Sequence, residues 1–408
     1  MRTDIVVQNV ASFRIDPAVL TRPHQRLFLI ASSSQYEKLA KRNRVDTFDG
    51  VRVLDEFSAD TLRRAVEEVI ADLPSDDRSS VRLVCHDEYS LGMVAEVRER
   101  LGIPGDRPNQ LAPFVDKVTM KKALGAAGIA LPAHAEWDPN GYAEDPGGYY
   151  ARLTGLLGTD LFVKPVDESG SVGAQRLSDE AGFHSWARQV SNRRYEIDEF
   201  VVGELFHLDT VVRGGEIVHA EANAYLHPCH TYADGEVCGT YTLPDEHPAR
   251  ADLLDFNHDV LNALPDKPRD SVFHHEVYRR GDGSLVFLEI AARAPAALAP
   301  ATSTIRWGLD IEEAHFRAQR GEAVHRNGPG PYAGFVYFPK VDGRIRELVR
   351  PDLTCDHTWT WNVEAGQTTQ APSDIRDFAA SVLLWSDSFE VLRHNLDLLD
   401  RHQPLVTD

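Results

Sequence analysis

The stretch SVFHHEVYRRGDGSLVFLEIAAR, residues 271–293, constrains the fold of this chain more than any other part of the sequence. Two apolar runs flank the dipeptide Asp282-Gly283, which favours the type I′ turn of a β-hairpin because both central residues need positive φ. If these two residues form the turn, Glu276 and Glu289 lie equally far from it. The pattern therefore predicts two carboxylates opposite each other on one face of the hairpin, roughly 5 Å apart.

Two carboxylates at this separation indicate a cation site. Ionised carboxylates repel each other, so the pair persists only if one is protonated or if a cation lies between them. Carboxylate oxygens are the protein ligands of Mg²⁺ where it also binds substrate phosphates. Glu289 lies in the apolar run SLVFLEIAA, where an unpaired charge is costly. Two other interpretations remain open: a surface strand pair with an unfavourable charge contact, or a register that differs by one or two residues.

Two lysines stand beside sequences suited to phosphate binding. Lys164 ends the apolar run LFVK and precedes a Gly/Ser turn, residues 168–173, whose backbone N–H groups can approach phosphate oxygens closely. Lys117 begins a helical pattern, where a cation is unfavourable against the helix dipole unless solvent or an external anion compensates it. The turn is not the Walker pattern, and taken alone an ordinary turn and a solvated lysine are the more common interpretations.

Strand-like and helix-like stretches alternate in the first hundred residues, which predicts a parallel sheet covered on both faces. The strands are predicted over 26–31, 51–54 and 81–85, and the helices over 35–43, 59–72 and 89–101. No G-x-G-x-x-G follows any of these strands, so dinucleotide binding there has no support.

The rest of the chain mixes both patterns. Helices are predicted over 117–128, 181–190, 249–264 and 389–400, and strands over 161–164, 331–338 and 378–385. Strand-like sequence dominates from 195 to 224 and again up to 292, with loop-like sequence from 225 to 243. Residues 137–148 are rich in Gly, Pro, Asn and Asp and are predicted to form a surface loop.

Four of these pieces, in this order, resemble the motifs of the ATP-grasp superfamily. They are DKVTMKKALGAAGIALP (116–132), FVKPVDESGSVGA (162–174), DEFVVGELFHLD (198–209) and FHHEVYRRGDGSLVFLEIAAR (273–293). Each motif is weak alone, and their correct order makes the resemblance specific. It implies an α/β chain with an N-terminal Rossmann-like parallel-sheet domain (1–112), a central lid subdomain (113–203), an antiparallel ATP-binding core (204–325) and a C-terminal α+β module (326–408).

The resemblance also implies roles for individual residues. Lys117 and Lys164 would hold the phosphates of ATP, and Glu276 and Glu289 would hold Mg²⁺, or Mn²⁺ in its place. Arg293 would hold the substrate carboxylate or the acyl phosphate. The remaining implied nucleotide contacts are the loop residues Glu168, Ser169, Gly170, Ser171 and Gly173, the adenine segment Asp198, Glu199, Phe200 and Val201, and Glu204 near the ribose.

His274 shares the face of Glu276 and is a candidate for substrate contact or proton transfer, although a histidine satisfied by the core is at least as common. Two positions depart from the family pattern. Many members carry an asparagine as a further metal ligand where this chain has Ala291, and their glycine-rich continuation reads Ala-Pro-Ala-Ala here, residues 294–297.

The stretch HTYADGEVCGTYTLPDEH, residues 230–247, and the C-terminal module resemble the carboxylate–amine ligases that include bacterial L-amino acid ligases. The implied reaction joins a small carboxylate and an amine, with amino acids as expected substrates, through an acyl phosphate, and releases ADP and phosphate. Alternatives that keep the fold are acylation of a thiol or carrier protein and a non-catalytic ATP-binding protein. A homodimer is common in the family.

Charge and composition exclude other classes of partner. The chain has 43 Lys and Arg against 63 Asp and Glu, a net charge of −20, so neither nucleic acid nor an anionic membrane is an expected partner. No apolar stretch is long enough for a membrane span or signal peptide, and the expected location is the cytoplasm. The four cysteines lack a C-x-x-C pair, so a thiolate zinc site is not expected.

Overall fold

The computed structural model describes residues 2–11, 13–73, 78–168, 170, 172–190, 193–372 and 374–408. The strands are β1 (Arg2–Gln8), β2 (Gln25–Ser32), β3 (Gly50–Leu54), β4 (Val81–Cys85), β5 (His134–Glu136), β6 (Leu161–Pro165), β7 (Gln175–Leu177), β8 (Tyr195–Glu199), β9 (Glu204–Arg213), β10 (Glu216–Tyr225), β11 (Cys238–Thr242), β12 (Ser271–Arg279), β13 (Leu285–Ala291), β14 (Tyr332–Pro339), β15 (Gly343–Leu348), β16 (Asp356–Trp361), β17 (Thr368–Thr369), β18 (Phe378–Ser386) and β19 (Leu405–Thr407). The helices are α1 (Ser33–Lys41), α2 (Ala59–Ala71), α3 (Leu91–Leu101), α4 (Pro108–Leu111), α5 (Lys117–Ala126), α6 (Pro139–Glu144), α7 (Pro146–Leu157), α8 (Glu180–Gln189), α9 (Arg250–Asn262), α10 (Ala299–Trp307), α11 (Ile311–Gln319) and α12 (Phe389–Asp400). Within the described ranges, no helix is both long and apolar enough to cross a lipid bilayer.

The N-terminal residues form the predicted parallel sheet, with strand order β3-β2-β1-β4. Consecutive residues of β1 enter two different cores: Ile5 and Val7 pack with the side chains of α2 and α3, whereas Val6 packs with Leu29 and Leu39 on the other face. Burial on both faces is what a near-continuous apolar strand requires. The α/β prediction for this part of the chain is confirmed.

A small antiparallel sheet with order β5-β8-β6-β7 follows. The prediction of a surface loop over 137–148 is wrong, because α6 and the start of α7 lie there. Both helices begin with Asp-Pro: the side chains of Asp138 and Asp145 accept hydrogen bonds from backbone N–H groups of the first turn, and the proline follows at the first helical position. Aspartate caps and first-turn prolines start helices as readily as they mark turns.

The large sheet has eight strands in the order β13-β12-β9-β10-β11-β14-β18-β16. β11 lies within the stretch predicted to be loop-like, and it links the strands before residue 325 to those after 326, since it pairs with both β10 and β14. The predicted boundary at 325/326 therefore separates strands that are hydrogen-bonded in one sheet. β15 and its partners β17 and β19 form a further small sheet.

The hairpin of β12 and β13 has the predicted pairing of Glu276 with Glu289 but a different turn. The loop has three residues, because Arg280 and Ser284 close it and Gly283 has a φ of +86°. A bulge at Leu288 then inserts one residue into β13 and shifts the register back. The longer loop and the bulge compensate each other, so the prediction of the pair is confirmed although the two-residue turn is wrong.

One apolar core joins the parallel sheet to the large sheet. Ile5 and Leu83 belong to the same set of contacting buried side chains as Phe273, Phe287 and Ile290. This packing brings the residues that follow β4 close to the end of β13.

Candidate active site

A cavity of about 1260 Å³, including its open mouth, lies between the small antiparallel sheet and the large sheet. Twelve predicted site residues line it: Lys117, Lys164, Glu168, Gly170, Asp198, Glu199, Phe200, Val201, His274, Glu276, Glu289 and Arg293. Gly173 and Glu204 are not among the lining residues, and the exposed Glu204 carboxylate lies 3.3 Å from the guanidinium of Arg279. Ser169 and Ser171 lie outside the described residues.

Polar side chains form two rows across the cavity face of the large sheet. Both rows cross β10, β9, β12 and β13 in that order. The first row is Asn223, His207, Glu276 and Glu289, and the second is Glu221, Asp209 and His274, followed by the apolar Ala291. Cross-strand partners point to the same face of a sheet, as do residues two apart on one strand. The two predicted metal ligands therefore belong to a larger polar array, which we call the polar rows.

The carboxylates of Glu276 and Glu289 each lie next to a hydrogen-bond donor or a positively charged side chain. Tyr225 donates a hydrogen bond to Glu276, and the His274 Nε2 lies 3.7 Å from the same carboxylate. Burial favours the neutral acid, but the contact with His274 and the hydrogen bond from Tyr225 lower the pKa of Glu276 to about 2. The Lys117 ammonium lies 3.4 Å from Glu289 Oε2. Both carboxylates are thus held near cations at neutral pH.

The residues present fit a divalent cation. Glu276 and Glu289 are cross-strand partners at the floor of the cavity, and their oxygens are the donors that Mg²⁺ prefers. Ala291, the cross-strand partner of His274, supplies no third ligand. A cation held here would neutralise phosphate oxygens that enter between the two carboxylates and the lysines opposite.

Lys164 belongs to a buried group of four charges with Lys121, Glu196 and Asp198. The Lys121 ammonium lies 2.8 Å from Glu196 and 2.5 Å from Asp198, and the Lys164 ammonium lies 3.3 Å and 3.1 Å from the same two acids. All four side chains are at least nine-tenths buried. Burial alone lowers the pKa of Lys164, but the charges of Asp198 and Glu196 raise it above its ordinary value. This charge quartet is neutral as a whole, and of its two lysines only Lys164 lines the cavity.

The loop after β6 is tied to three elements. The Lys117 ammonium donates to the carbonyl oxygen of Glu168 at 2.5 Å, and the Glu168 carboxylate accepts from Tyr89 at 3.1 Å and from Arg193 at 2.7 Å. Tyr89 comes from the turn after β4, so the N-terminal sheet contacts the loop directly. Phosphate entering the site would compete with the Glu168 carbonyl for Lys117.

Arg293 is held by a residue that the sequence argument did not identify. Its Nε donates to the Glu88 carboxylate at 2.8 Å, and its second nitrogen donates to the Ala294 carbonyl at 3.1 Å. Burial alone lowers the pKa of Arg293, and Glu88 raises it above its ordinary value. The guanidinium therefore has a fixed orientation at the cavity wall, with donors left for an anionic group.

The segment from Glu199 to Val201 lines the opposite end of the cavity, where the chain passes from β8 to β9. Arg176 stacks on the ring of Phe200 at 3.9 Å, and the Glu199 carboxylate accepts from Arg280 and from the backbone of Ala133. These contacts fix an apolar, partly aromatic wall suited to a planar ring.

Three further residues of the site can be recognised from their spacing in the sequence. Lys121 follows Lys117 by four positions and so shares its helix face, and Glu196 precedes Asp198 by two and so shares its strand face. Asp209 likewise lies two positions from its partner His207 on β9. Glu88 has no such spacing, because its partner Arg293 lies 205 positions away in the sequence.

Glu221 gives the site a pH-dependent stability. Burial, reinforced by the charge of its cross-strand neighbour Asp209, raises the pKa of Glu221 from 4.5 to about 8. Between these pH values the folded chain keeps a proton that the unfolded chain has lost, so the free energy of unfolding falls as pH rises from about 5 to 8. Glu221→Gln removes this titration, and we expect urea unfolding of the variant to change less between pH 5 and 8 than that of the wild type.

Glu216→Gln is the matched control, since Glu216 is exposed at the start of the same strand. It should keep the wild-type pH dependence. An unchanged pH slope in Glu221→Gln would contradict the assignment.

Solved structures share this architecture. An L-amino acid ligase from Bacillus licheniformis superposes with a TM-score of 0.73 at 15% identity, covering 100% of this chain and 99% of that chain. The N5-carboxyaminoimidazole ribonucleotide synthetase of Thermotoga maritima gives 0.67 at 12% identity, with 100% of both chains covered. The biotin carboxylase domain of the Hydrogenobacter thermophilus 2-oxoglutarate carboxylase, solved with MgADP and bicarbonate, gives 0.63 at 14% identity, covering 99% of this chain and 91% of that one.

No protein-family model matches the chain, and no curated protein matches its sequence. The structural likeness nevertheless extends over the whole chain, from the parallel sheet through the small antiparallel sheet to the large sheet. The chain therefore has the fold of the ATP-grasp ligases.

Proposed function

We propose that this chain is an ATP-dependent ligase that joins a carboxylate to an amine through an acyl phosphate and releases ADP and phosphate. One observation carries the proposal: Glu276 and Glu289 face each other across a hairpin in the cavity that Lys117, Lys164 and Arg293 also line. The two acids can hold a metal cation, and the three positively charged side chains can bind phosphate and carboxylate groups. The fold shared with the B. licheniformis ligase supports the same chemistry.

The residues of the chain act mainly by binding and charge neutralisation. Lys117 and Lys164 would bind the β- and γ-phosphates, and Arg293 would align the substrate carboxylate with the γ-phosphorus. Glu276 and Glu289 would hold Mg²⁺, which would supply positive charge to the phosphate oxygens. A carboxylate oxygen attacks the γ-phosphorus. The bond between the γ-phosphorus and its bridging oxygen breaks, and ADP leaves with that oxygen.

The second half of the reaction forms the amide. The amine nitrogen attacks the acyl carbon, the bond from that carbon to the phosphate oxygen breaks, and the amine loses a proton as phosphate leaves. Water would hydrolyse the acyl phosphate, so the site must exclude it. Glu168, Gly170 and Val172 line the cavity, and the contacts of Glu168 with Tyr89, Lys117 and Arg193 support a role for these residues in excluding water.

We propose amino acids as the substrates at both positions. The fold is shared with an L-amino acid ligase, and the cavity combines the polar rows with Arg293, whose fixed guanidinium can bind a carboxylate. The test is phosphate and ADP release from ATP with pairs of amino acids, followed by mass spectrometry of the product. Release that needs both a carboxylate and an amine, with an amide product, supports the proposal. Release that depends on bicarbonate, on a thiol or on a carrier protein would contradict it, as would tight ATP binding without turnover.

Arg293→Lys tests the part of the proposal that concerns the carboxylate. The variant keeps the charge but loses the planar pair of donors that binds a carboxylate, so we expect kcat/KM for the acid to fall by about a hundredfold. The affinity for ATP, measured by calorimetry, should change much less. Arg346→Lys, on the exposed face of β15, is the control and should behave as the wild type. Equal losses of ATP and acid binding would place Arg293 at the nucleotide instead.

A further inference from the structure

Two cysteines lie side by side in the wall of the cavity, and the proposed reaction uses neither of them. Cys229 begins a short 3₁₀ helix (Cys229–Asp234) that follows β10, and Cys238 begins β11. Their Sγ atoms are 3.9 Å apart, and both thiols are free. Both residues line the cavity, so a small molecule inside it can contact this thiol pair.

The surroundings of the thiol pair make it slow to react but well placed to form a bond. Cys238 belongs to a buried apolar group with Tyr232 and Phe335, and Cys229 packs against that group. The hydrogen bond with Cys238, reinforced by burial, raises the pKa of Cys229 well above its ordinary value. The Cys229 thiol is therefore protonated at neutral pH and reacts only through a small thiolate fraction. Once one sulfur is oxidised, however, the other is already next to it.

A bond between the two sulfurs would move one wall of the cavity. A disulfide has an S–S distance of about 2 Å, so the gap of 3.9 Å must close by about 2 Å. Pairing with β14 holds Cys238 in β11, so the 3₁₀ helix that carries Cys229 is the part expected to move. The next residue, His230, packs against Phe162 and Phe200 at ring-centroid distances of 5.2 Å and 5.7 Å. All three rings line the cavity, and Phe200 belongs to the segment expected to contact adenine.

We propose that Cys229 and Cys238 form a reversible disulfide when a hydroperoxide enters the cavity, and that this disulfide weakens the binding of ATP. The deprotonated Cys229 sulfur attacks an oxygen of the peroxide, the O–O bond breaks, and the departing alkoxide or hydroxide takes up the thiol proton. The Cys238 sulfur then attacks the hydroxylated Cys229 sulfur, the S–O bond breaks, and hydroxide leaves as water with the second thiol proton. The two sulfurs lose two electrons, which reduce the peroxide. Formation of the disulfide goes beyond the proposed function, and only its effect on ATP rests on that function.

The test exposes the full-length chain to hydrogen peroxide for hours, followed by peptide mass spectrometry and by calorimetry with ATP. In the wild type we expect a peptide pair linked through Cys229 and Cys238. The ATP affinity should fall by about tenfold, because the aromatic contacts of His230 with the adenine wall are disturbed. Dithiothreitol should reverse both changes.

Three variants locate the effect. Cys229→Ser and Cys238→Ser should form no such link, and peroxide should leave the ATP affinity of each at its own untreated value. Cys355→Ser is the matched control, since Cys355 is a partly exposed free cysteine that is not among the residues lining the cavity. It should form the link and lose ATP affinity as the wild type does.

A wild-type chain in which peroxide oxidises Cys355 but does not link Cys229 to Cys238 would overturn the inference, and this outcome needs no variant to fold. A link that leaves the ATP affinity unchanged would overturn the effect on binding. An equal loss of affinity in both serine variants would also overturn it, because the oxidised group would then lie elsewhere. Amide formation in a chain without the link would overturn this inference alone, whereas the link in a chain without amine-dependent turnover would overturn only the proposed function.

Discussion

Glu289→Ala is expected to lower ATP-dependent turnover by roughly a hundredfold to a thousandfold, because it removes one of the two carboxylates that we propose as ligands of Mg²⁺ at the reacting phosphates. The melting temperature should change little. Glu289 is 23% exposed and its ion-pair partner Lys117 lies 3.4 Å away, so no apolar core contact is lost. The measurements are phosphate release under saturating substrates and thermal unfolding of the same preparation.

Glu347→Ala is the matched control, since Glu347 is an exposed strand glutamate on β15 outside the cavity. It should leave turnover and melting temperature at wild-type values. Full activity in Glu289→Ala would contradict the metal-site assignment. A loss of activity together with a large drop in melting temperature would instead make Glu289 a structural residue.

The second large effect is expected in the charge quartet. Lys164→Met and Lys121→Met each leave two buried carboxylates with one cation, and breaking a buried ion pair in this way costs about 3–5 kcal/mol. Both variants should therefore lose stability in urea unfolding. Only Lys164 lines the cavity, so only Lys164→Met should also lose most of its affinity for ATP, as measured by calorimetry.

A double variant separates the two effects if Lys164→Met fails to fold. Glu196 does not line the cavity, so combining Lys164→Met with Glu196→Gln restores neutrality without changing a cavity residue other than Lys164. We expect the double variant to regain stability while its ATP affinity stays low. Wild-type ATP affinity in this double variant would remove Lys164 from the nucleotide site.

The hairpin of β12 and β13 shows how a correct prediction can rest on a wrong detail. The dipeptide Asp282-Gly283 correctly indicated a hairpin, and the apolar runs on either side correctly indicated its strands. The loop is one residue longer than the two-residue turn, and the bulge at Leu288 restores the register. Nothing local in the sequence marks this bulge, because it is a feature of the pairing of β13 with β12.

The error at residues 137–148 has a similar cause. Asp-Pro dipeptides at 138–139 and 145–146 are equally good turn starters and helix starters. The choice was made by packing: Trp137, Tyr142 and Tyr149 form an aromatic cluster with Trp186 and Phe183 of α8. An exposed loop could not bury these rings.

The sequence by itself determined the features that depend on neighbours along the chain: strand and helix periods, the hairpin turn, and the order of four motifs that resemble the ATP-grasp superfamily. The tertiary structure alone decided which charges meet. Arg293 and Glu88 are 205 residues apart, and Asp209 and His274 are 65 apart. The physical reason is that an ion pair or an oriented imidazole depends on burial and on strand neighbours, which arise only when distant segments pack together.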